Sequence, residues 1–587
     1  MQLIDMQLIN KYYNILKYIV FISSLIVYGL PNYIIADVHN DIRNDMSGTD
    51  SSTIQEPEPQ YIPEQEADSI TEPEIEPPAP QVIEGVGQTI QVDRIEFTGS
   101  TVFSQEQLQA EAKSFIGQAL DSADLEELRY RLTRRYVENG YINSGAIIKG
   151  YDPKTKVLHI HLKEGSIKDI HVDTQGLLNP EYVRGRLRIY SKAPFHLPTM
   201  QERFLLLLDD PAIKTINGGI APSTVPGEAI LETQVLSNDP FSLIFTFDNR
   251  GAVSSGEKQG SVHAILRNLS GWGEEVTFGF KSNEDNRYGL VALNTPINYY
   301  DTRLHVSYQR STMAVVQEPL DILDIKGDYR AYNLGLTHPL IHTLKRSVLL
   351  GVNVGHKTNT TWLQGDPRCF SQGCDDATGT SSISIVALTQ RWTERSYKYV
   401  YTLNSVVTIG VDAFGTTQYD ISNPGVNSQF ASWLLQQSYA RQWYNRRLQF
   451  IGRLDMQFAD SPLPALQQTA VGGATSVRGY RENALIRDQV ILGSVELRYG
   501  LLRPAAQAKY GNLQGAVFSD FAQAWNKDSR PAIRSQSVHS IGLGILWSWK
   551  DAVSAQVYWG RQLKSLHTKK GGSWQEDGIH ASVQVVY

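Results

Sequence analysis

From Phe241 to the last residue, Tyr587, the chain alternates apolar and polar residues in stretch after stretch, and no other feature limits its fold so tightly. "FSLIFTFDNRG" sets Phe241, Leu243, Phe245 and Phe247 against Ser242, Ile244, Thr246 and Asp248. "RRLQFIGRLDMQFAD" sets Leu448, Phe450, Leu454, Met456 and Phe458 against Gln449, Arg453, Asp455 and Gln457, and "SVLLGVNVGHK" and "SIGLGILWSWK" behave alike. A period of two belongs to a β-strand, whose successive side chains point to opposite faces. Charged residues on one of those faces are incompatible with an oily core but suit a watery lumen. The stretches are roughly ten residues long, the length a tilted strand needs to cross a bilayer. The pattern predicts a membrane-spanning β-barrel over 237–587. A large β-sandwich or propeller is the competing reading, and it leaves the polar face unexplained. At the chain's end, "ASVQVVY" places Ala581, Val583, Val585 and Tyr587 on one face, as expected of a closing barrel strand.

Composition agrees with a barrel without requiring one. Of 587 residues only 20% are charged, while there are 29 Tyr, 46 Gly and 10 Trp. The net charge of −7 gives no basic stripe for nucleic acid. No later segment reaches the roughly 18 apolar residues of a transmembrane helix.

The N-terminus reads as a secretory signal over 1–36. Lys11 and Lys17 precede "YIVFISSLIVYGL", and Ala36 offers a small residue for cleavage, although Ile34 is not the small residue preferred before the cut. An uncleaved anchor is the alternative. Residues 37–87, rich in Pro and Glu, read as an extended, solvated linker, with Val38, Ile42 and Met46 at the spacing of a short helix. Cys369 and Cys374, in the loop-like "GDPRCFSQGCDDATG", suit a small disulfide ring in an oxidising compartment. Two thiols alone would make an incomplete zinc shell.

Between linker and barrel, the order β-α-α-β-β occurs twice, over 88–164 and 165–236. In the first unit "IQVDRIEFTG" alternates as a strand, and "SADLEELRYRLTRRYVENGY" sets Leu125, Leu128, Leu132 and Tyr136 on one helix face before Gly140. "NSGAIIKG" and "VLHIHLKEG" follow as strands. His159 and His161 share a face of the last, a metal pair without evident further ligands. The second unit runs from "IKDIHV" through helical "PEYVRGRLRIY" and "TMQERFLLLL" to "VPGEAILETQVL".

Within the barrel region "GGATSVRGY", Gly472 to Tyr480, marks a sharp turn by its glycines, yet carries an arginine and an aromatic that a turn does not need. Two β-α-α-β-β units ahead of a barrel, together with Val477-Arg478-Gly479-Tyr480, resemble the two-partner secretion transporters (TpsB; ShlB/FhaC/HecB type), relatives of the BamA assembly factors. The resemblance spans Gln88 to Tyr587. "YVENGYINS" is similar to that family's first polypeptide-transport-associated (POTRA) domain, and "LDDPAI" with "VPGEAILETQV" to its second. It implies a sixteen-stranded barrel whose hairpin folds back into the lumen, with Arg478 meeting Asp520 of "VFSDFAQAW" and Glu496 of "GSVELRYG". A guanidinium in a partly dehydrated lumen requires an anionic partner, and its planar fork suits a carboxylate. Phe518 shares the strand face of Asp520, and the sequence assigns it no partner.

The function implied is export of a large TpsA-type protein (haemolysin, adhesin, haem-binding protein or toxin) across a Gram-negative outer membrane. The POTRA domains would sit in the periplasm and take the partner by β-augmentation. The barrel would contact outer-membrane lipid and be inserted by the barrel-assembly machinery. No cofactor, metal or catalytic residue is expected: neither GxxxxGK[ST] nor GxSxG occurs. An insertase of the BamA type is the competing function, and such proteins usually carry more POTRA units than the two that fit here.

Overall fold

A computed structural model of the chain describes residues 61, 70–71, 89–315, 321–370, 374–417, 426, 428–444, 446–527, 535–550, 552–566 and 572–587. The expected signal peptide, the helix expected at Val38 to Met46 and most of the linker lie outside these residues.

The first folded unit is organised by the helix Ser122–Glu138. Asp121 caps it, its carboxylate accepting from the N–H groups of Ala123 and Asp124. Leu125, Leu128, Leu132 and Tyr136 are buried on one face, and Gly140 follows with φ 84°, a conformation glycine adopts without a Cβ clash. A second helix, Gln105–Ala112, buries only Leu108 and Ala112, a stripe too thin to stand out in the sequence. Both helices belong to the core over a sheet ordered Arg94–Thr98, Val157–Lys163, Gly145–Asp152.

The second unit packs helices Pro180–Arg188 and Leu197–Leu208 on strands ordered Ile213–Pro222, Glu228–Ser237, Ser166–Gln175. Tyr182, Phe195, Met200 and Phe204 lie in its core. Composition alone leaves the linker unattached, but Ile70–Thr71 extends this sheet, pairing in parallel with Gly218 and Gly219. An open sheet edge offers main-chain groups that an extended segment can satisfy, whatever its side chains. The two units meet where the Leu197 N–H donates to Gly140 O (2.9 Å).

The barrel is a closed antiparallel cylinder of sixteen strands. Its first strand, Phe241–Asp248, pairs with its last, Ile579–Val586, setting Phe245 opposite Val585 and Phe247 opposite Val583. Tyr587 and Leu243 continue the seam with two main-chain bonds of 2.8 Å. Closure satisfies every ladder without an exposed edge, as lipid demands. Strands vary from 8 residues in Phe241–Asp248 to 18 in Ile325–His342 and Arg346–Leu363, the last two longer than one crossing requires. Phe278, Val291, Leu334, Leu497, Val517 and Ile545 are exposed on the outer face. Lys281, Gln309, Lys357, Asp455, Gln457 and Ser540 are enclosed on the inner one. The interior is polar.

Turns at one end of the barrel rest on the second unit. The Asn179 N–H donates to Gly271 O (3.0 Å), and the Leu344 N–H to Glu202 Oε1 (2.9 Å). Arg186 pairs with Asp301 at 3.0 Å, and Arg303 Nη2 lies 3.9 Å from Asp210 Oδ2. The loops 364–379 and 460–488 are therefore at the opposite end.

Candidate functional site

The segment 460–488 joins strands Leu448–Ala459 and Gln489–Gly500, and it turns inward. Gly472 and Gly473 stand at φ 105° and 106°, a region that side-chain-bearing residues avoid, and so permit the reversal. Val477 and Tyr480 are buried in a cluster with Val490, Leu492, Ala522, Ala524 and Val538, which belong to the wall. The hairpin is thus seated by apolar contact as well as by charge.

Arg478 is then held from several directions. Its Nε donates to Asp520 Oδ2 (2.9 Å) and its Nη2 to Asp520 Oδ1 (2.9 Å), a two-pronged pairing, while its main-chain N–H also donates to Asp520 Oδ2 (2.9 Å). Nη1 contacts Glu496 Oε2, and Nη2 reaches Ser494 Oγ at 3.2 Å. The guanidinium lies over the Phe518 ring, Cζ 3.7 Å from its centroid, with the Tyr558 ring at 4.8 Å. Arg478, Glu496 and Asp520 are 7%, 5% and 1% exposed, so these charges are shielded from bulk water. Shielding strengthens the pairing and makes either charge costly to strand. Glu496 has further partners, accepting from the Tyr558 hydroxyl (2.9 Å) and Arg498 Nε (2.5 Å).

Gly479 holds the tip against the wall. Its N–H donates to His580 Nε2 (3.1 Å), and its carbonyl accepts from Gln562 Nε2 (2.8 Å). A Cβ on Gly479 would stand 2.7 Å from Gly560 O, so only backbone fits there. The Tyr480 hydroxyl lies 2.9 Å from His539 O and 2.5 Å from Lys564 O. Farther along, the Glu482 N–H donates to Gln575 Oε1 (2.8 Å), and Gln575 Nε2 donates to the carbonyls of Asn249 and Gly251. Asn249 in turn bonds Ile579 O and the Ala581 N–H, so the hairpin is connected to the seam of first and last strands.

Val477, Arg478, Gly479, Tyr480, Glu496, Phe518 and Asp520 are therefore gathered in one place. Ser494, Tyr558, His580, Gln562, Gln575 and Gly560 join them without having been singled out. Ser494 was accessible by period two from Glu496; the others come from the last two strands and the turn between them and carry no local signal. Elsewhere, Cys369 and Cys374 form a disulfide, Cα atoms 5.8 Å apart, in loop 364–379. Val583, Val585 and Tyr587 are exposed at the seam. His161 Nδ1 is 3.1 Å from Thr98 Oγ1 and His159 Nδ1 is 3.5 Å from Glu96; among the described residues no third ligand gathers around them.

A family model described as "Haemolysin secretion/activation protein ShlB/FhaC/HecB" matches residues 227–546, and one for the ShlB-type POTRA domain matches 90–165. The outer membrane transporter CdiB of Escherichia coli is 24% identical over 558 residues, 88% of this chain and 90% of its own. The heme/hemopexin transporter protein HuxB of Haemophilus influenzae strain 86-028NP is 23% identical over 462 residues, 76% of this chain and 78% of its own. Among solved structures, CdiB from Escherichia coli aligns at TM-score 0.66 with 19% identity, covering 86% of this chain and 92% of that one. BamA from Haemophilus ducreyi lacking POTRA domains 1–3 aligns at 0.52 with 11% identity, covering 85% of this chain and 100% of that one.

Proposed function

The chain belongs to the ShlB/FhaC/HecB haemolysin secretion/activation family, as a two-partner secretion transporter of the outer membrane with its POTRA units in the periplasm, and from that premise we propose that the hairpin carrying Arg478 is the moving part of its export path. The observation that carries this reading is the Arg478 clamp itself, a buried ion pair that fastens a loop inside a polar lumen. A loop held chiefly by side chains can leave the wall without opening the strand ladder that keeps the barrel intact.

The partner is a large TpsA-type protein that crosses unfolded. Its extended segments would add to open sheet edges through main-chain hydrogen bonds, which make little demand on sequence. Among the described residues, Gly145–Asp152 and Ser166–Gln175 pair on one side only and are such edges. The edge at Ile213–Pro222 is shared with Ile70–Thr71, so a partner strand docking there competes with the linker. Folding of the partner outside supplies the direction, and the chain itself acts as a transporter without catalytic chemistry. Val583, Val585 and Tyr587 would be read by the barrel-assembly machinery during insertion, and the outer face then meets lipid.

The test uses full-length protein in lipid vesicles, POTRA side out, given the unfolded N-terminal segment of its secreted partner without nucleotide. Protection of that segment from added protease is the expected result. Failure to take it up, with insertion of an unrelated barrel protein into the same vesicles, would favour the assembly-factor reading instead.

A further inference from the structure

The outer wall carries a cationic site above its apolar band. Strands Arg303–Ala314 and Ile325–His342 are paired so that Tyr308 faces Tyr332, Arg310 faces Arg330 and Thr312 faces Asp328. Tyr308 and Tyr332 are exposed on the lipid side, ring centroids 4.9 Å apart, and continue the exposed column of Val306, Leu334 and Leu336. By the period of two, the next outward pair is Arg310 and Arg330. Their side chains are 51% and 47% exposed.

Like charges directly opposite one another destabilise a sheet. Asp328 relieves only part of that repulsion: its Oδ2 accepts from Arg310 Nη2 (2.9 Å) and Arg330 Nη2 (2.7 Å), and its Oδ1 from Arg310 Nε (3.1 Å) and Arg330 Nε (3.4 Å). Arg287, paired in register with Thr312, adds a third exposed guanidinium on the same face of the neighbouring strand. Arg310 and Arg330 thus share one carboxylate, with Arg287 one strand further along the same row. Among the described residues neither Arg310 nor Arg330 makes a hydrogen bond through Nη1.

Two residues along a tilted strand raise the arginines about 5 Å above the tyrosine pair. A barrel's aromatic girdle lies at the membrane interface, where a lipid-facing arginine costs far less than at the bilayer midplane. Arg310 lies toward the end of its strand remote from the second POTRA unit, which is the outer-leaflet side. We propose that Arg310 and Arg330, with Arg287, bind the phosphate of an outer-leaflet glycolipid, whose acyl chains would lie along Val306, Tyr308, Tyr332 and Leu334. Asp328 takes the Nε and Nη2 side of each guanidinium, which leaves each Nη1 and the second N–H of each Nη2 for phosphate oxygens. The site is remote from the hairpin and independent of the export reading.

The experiment is binding of lipid A to the full-length protein in detergent, read by native mass spectrometry. Bis-phosphorylated lipid A should bind at least about tenfold more tightly than its dephosphorylated form, a difference of about 1.4 kcal/mol. Arg310→Gln with Arg330→Gln should abolish that preference, while the barrel stays heat-modifiable on gels. Inorganic phosphate at equal concentration should not compete. Equal binding of the two lipid forms by the unaltered protein overturns the proposal and needs no variant to fold. Full competition by inorganic phosphate also overturns it, since the headgroup would then not be the ligand.

Discussion

Arg478 rests its guanidinium on the ring of Phe518, Cζ 3.7 Å from the centroid, while its edge is taken up by Asp520. Face and edge of one planar cation are thus used by two residues of the same strand, two positions apart. Phe518 is buried on the inner wall rather than facing lipid, and this contact is the reason an aromatic belongs there.

The first prediction separates the two uses. Arg478→Ala should strand the carboxylates at a cost of about 3–5 kcal/mol and sharply reduce secreted partner per folded barrel. Asp520→Ala should resemble it, and the double variant should lose less than the sum of the two. Arg478→Lys should recover only part, since an ammonium cannot reproduce the fork. Phe518→Leu, which removes the ring face but keeps an apolar side chain, should cost about 0.5–2 kcal/mol and reduce export least. Heat-modifiability on gels should persist in all five. Full export by Arg478→Ala would end the assignment.

Gly560 allows a purely steric test. It lies on the strand Val553–Gln562, is not among the glycines of positive φ, and an added Cβ would stand 2.7 Å from Gly479 N. Gly560→Ala should therefore leave the strand intact but push the hairpin tip from the wall, at about 1–3 kcal/mol. Limited proteolysis from the cell surface should then cut within 472–488 several times faster than in the unaltered protein. An unchanged cleavage rate would show that the tip does not depend on this approach.

What was legible follows from range. Period-two alternation and the outward set of Val583, Val585 and Tyr587 are local, and so they could be read. The contact of Arg478 with Asp520 and Glu496 was reached only through the family's motif, because 42 and 18 residues separate the partners. His580, Gln575 and Gly560 had no such help. The strand Ile213–Pro222, "IKTINGGIAP", hides behind two glycines and a proline, and the linker's pairing with it uses main chain alone. Neither fact is written in side-chain pattern.

The disulfide prediction concerns the surface loop 364–379. Cys369 and Cys374 should resist alkylation in intact cells until reductant is added, then react with a membrane-impermeant maleimide. Replacing both by Ser should change export little, because the loop is at the end of the barrel remote from the POTRA units. Labelling without reductant would show the ring to be open.

The last prediction concerns how the second POTRA unit is fixed beneath the barrel. Asp301, in a turn at the POTRA end, pairs with Arg186 and is hydrogen-bonded by Arg303 Nε at 3.1 Å. Burial alone would raise its pKa, but Arg303 and Arg186 together more than offset it and hold the carboxyl below its ordinary value of 3.8. Tyr182, Asp210, His305 and His342 are the other charged and titratable groups around it. Because the folded pKa is depressed, the contribution to docking is fully present above the unfolded value. It is lost only as pH falls through the folded one. The contribution of Asp301 itself should be unchanged from pH 7 to pH 5 and be lost only below about 4. Asp301→Asn should loosen it already at pH 7, by about 3–5 kcal/mol, since Arg186 is left without its carboxylate. Hydrogen exchange of the helix Pro180–Arg188 and of the turn at 298–302 is the measurement. Faster exchange at pH 5 than at pH 7, after correction for intrinsic rates, would mean that another group controls the joint.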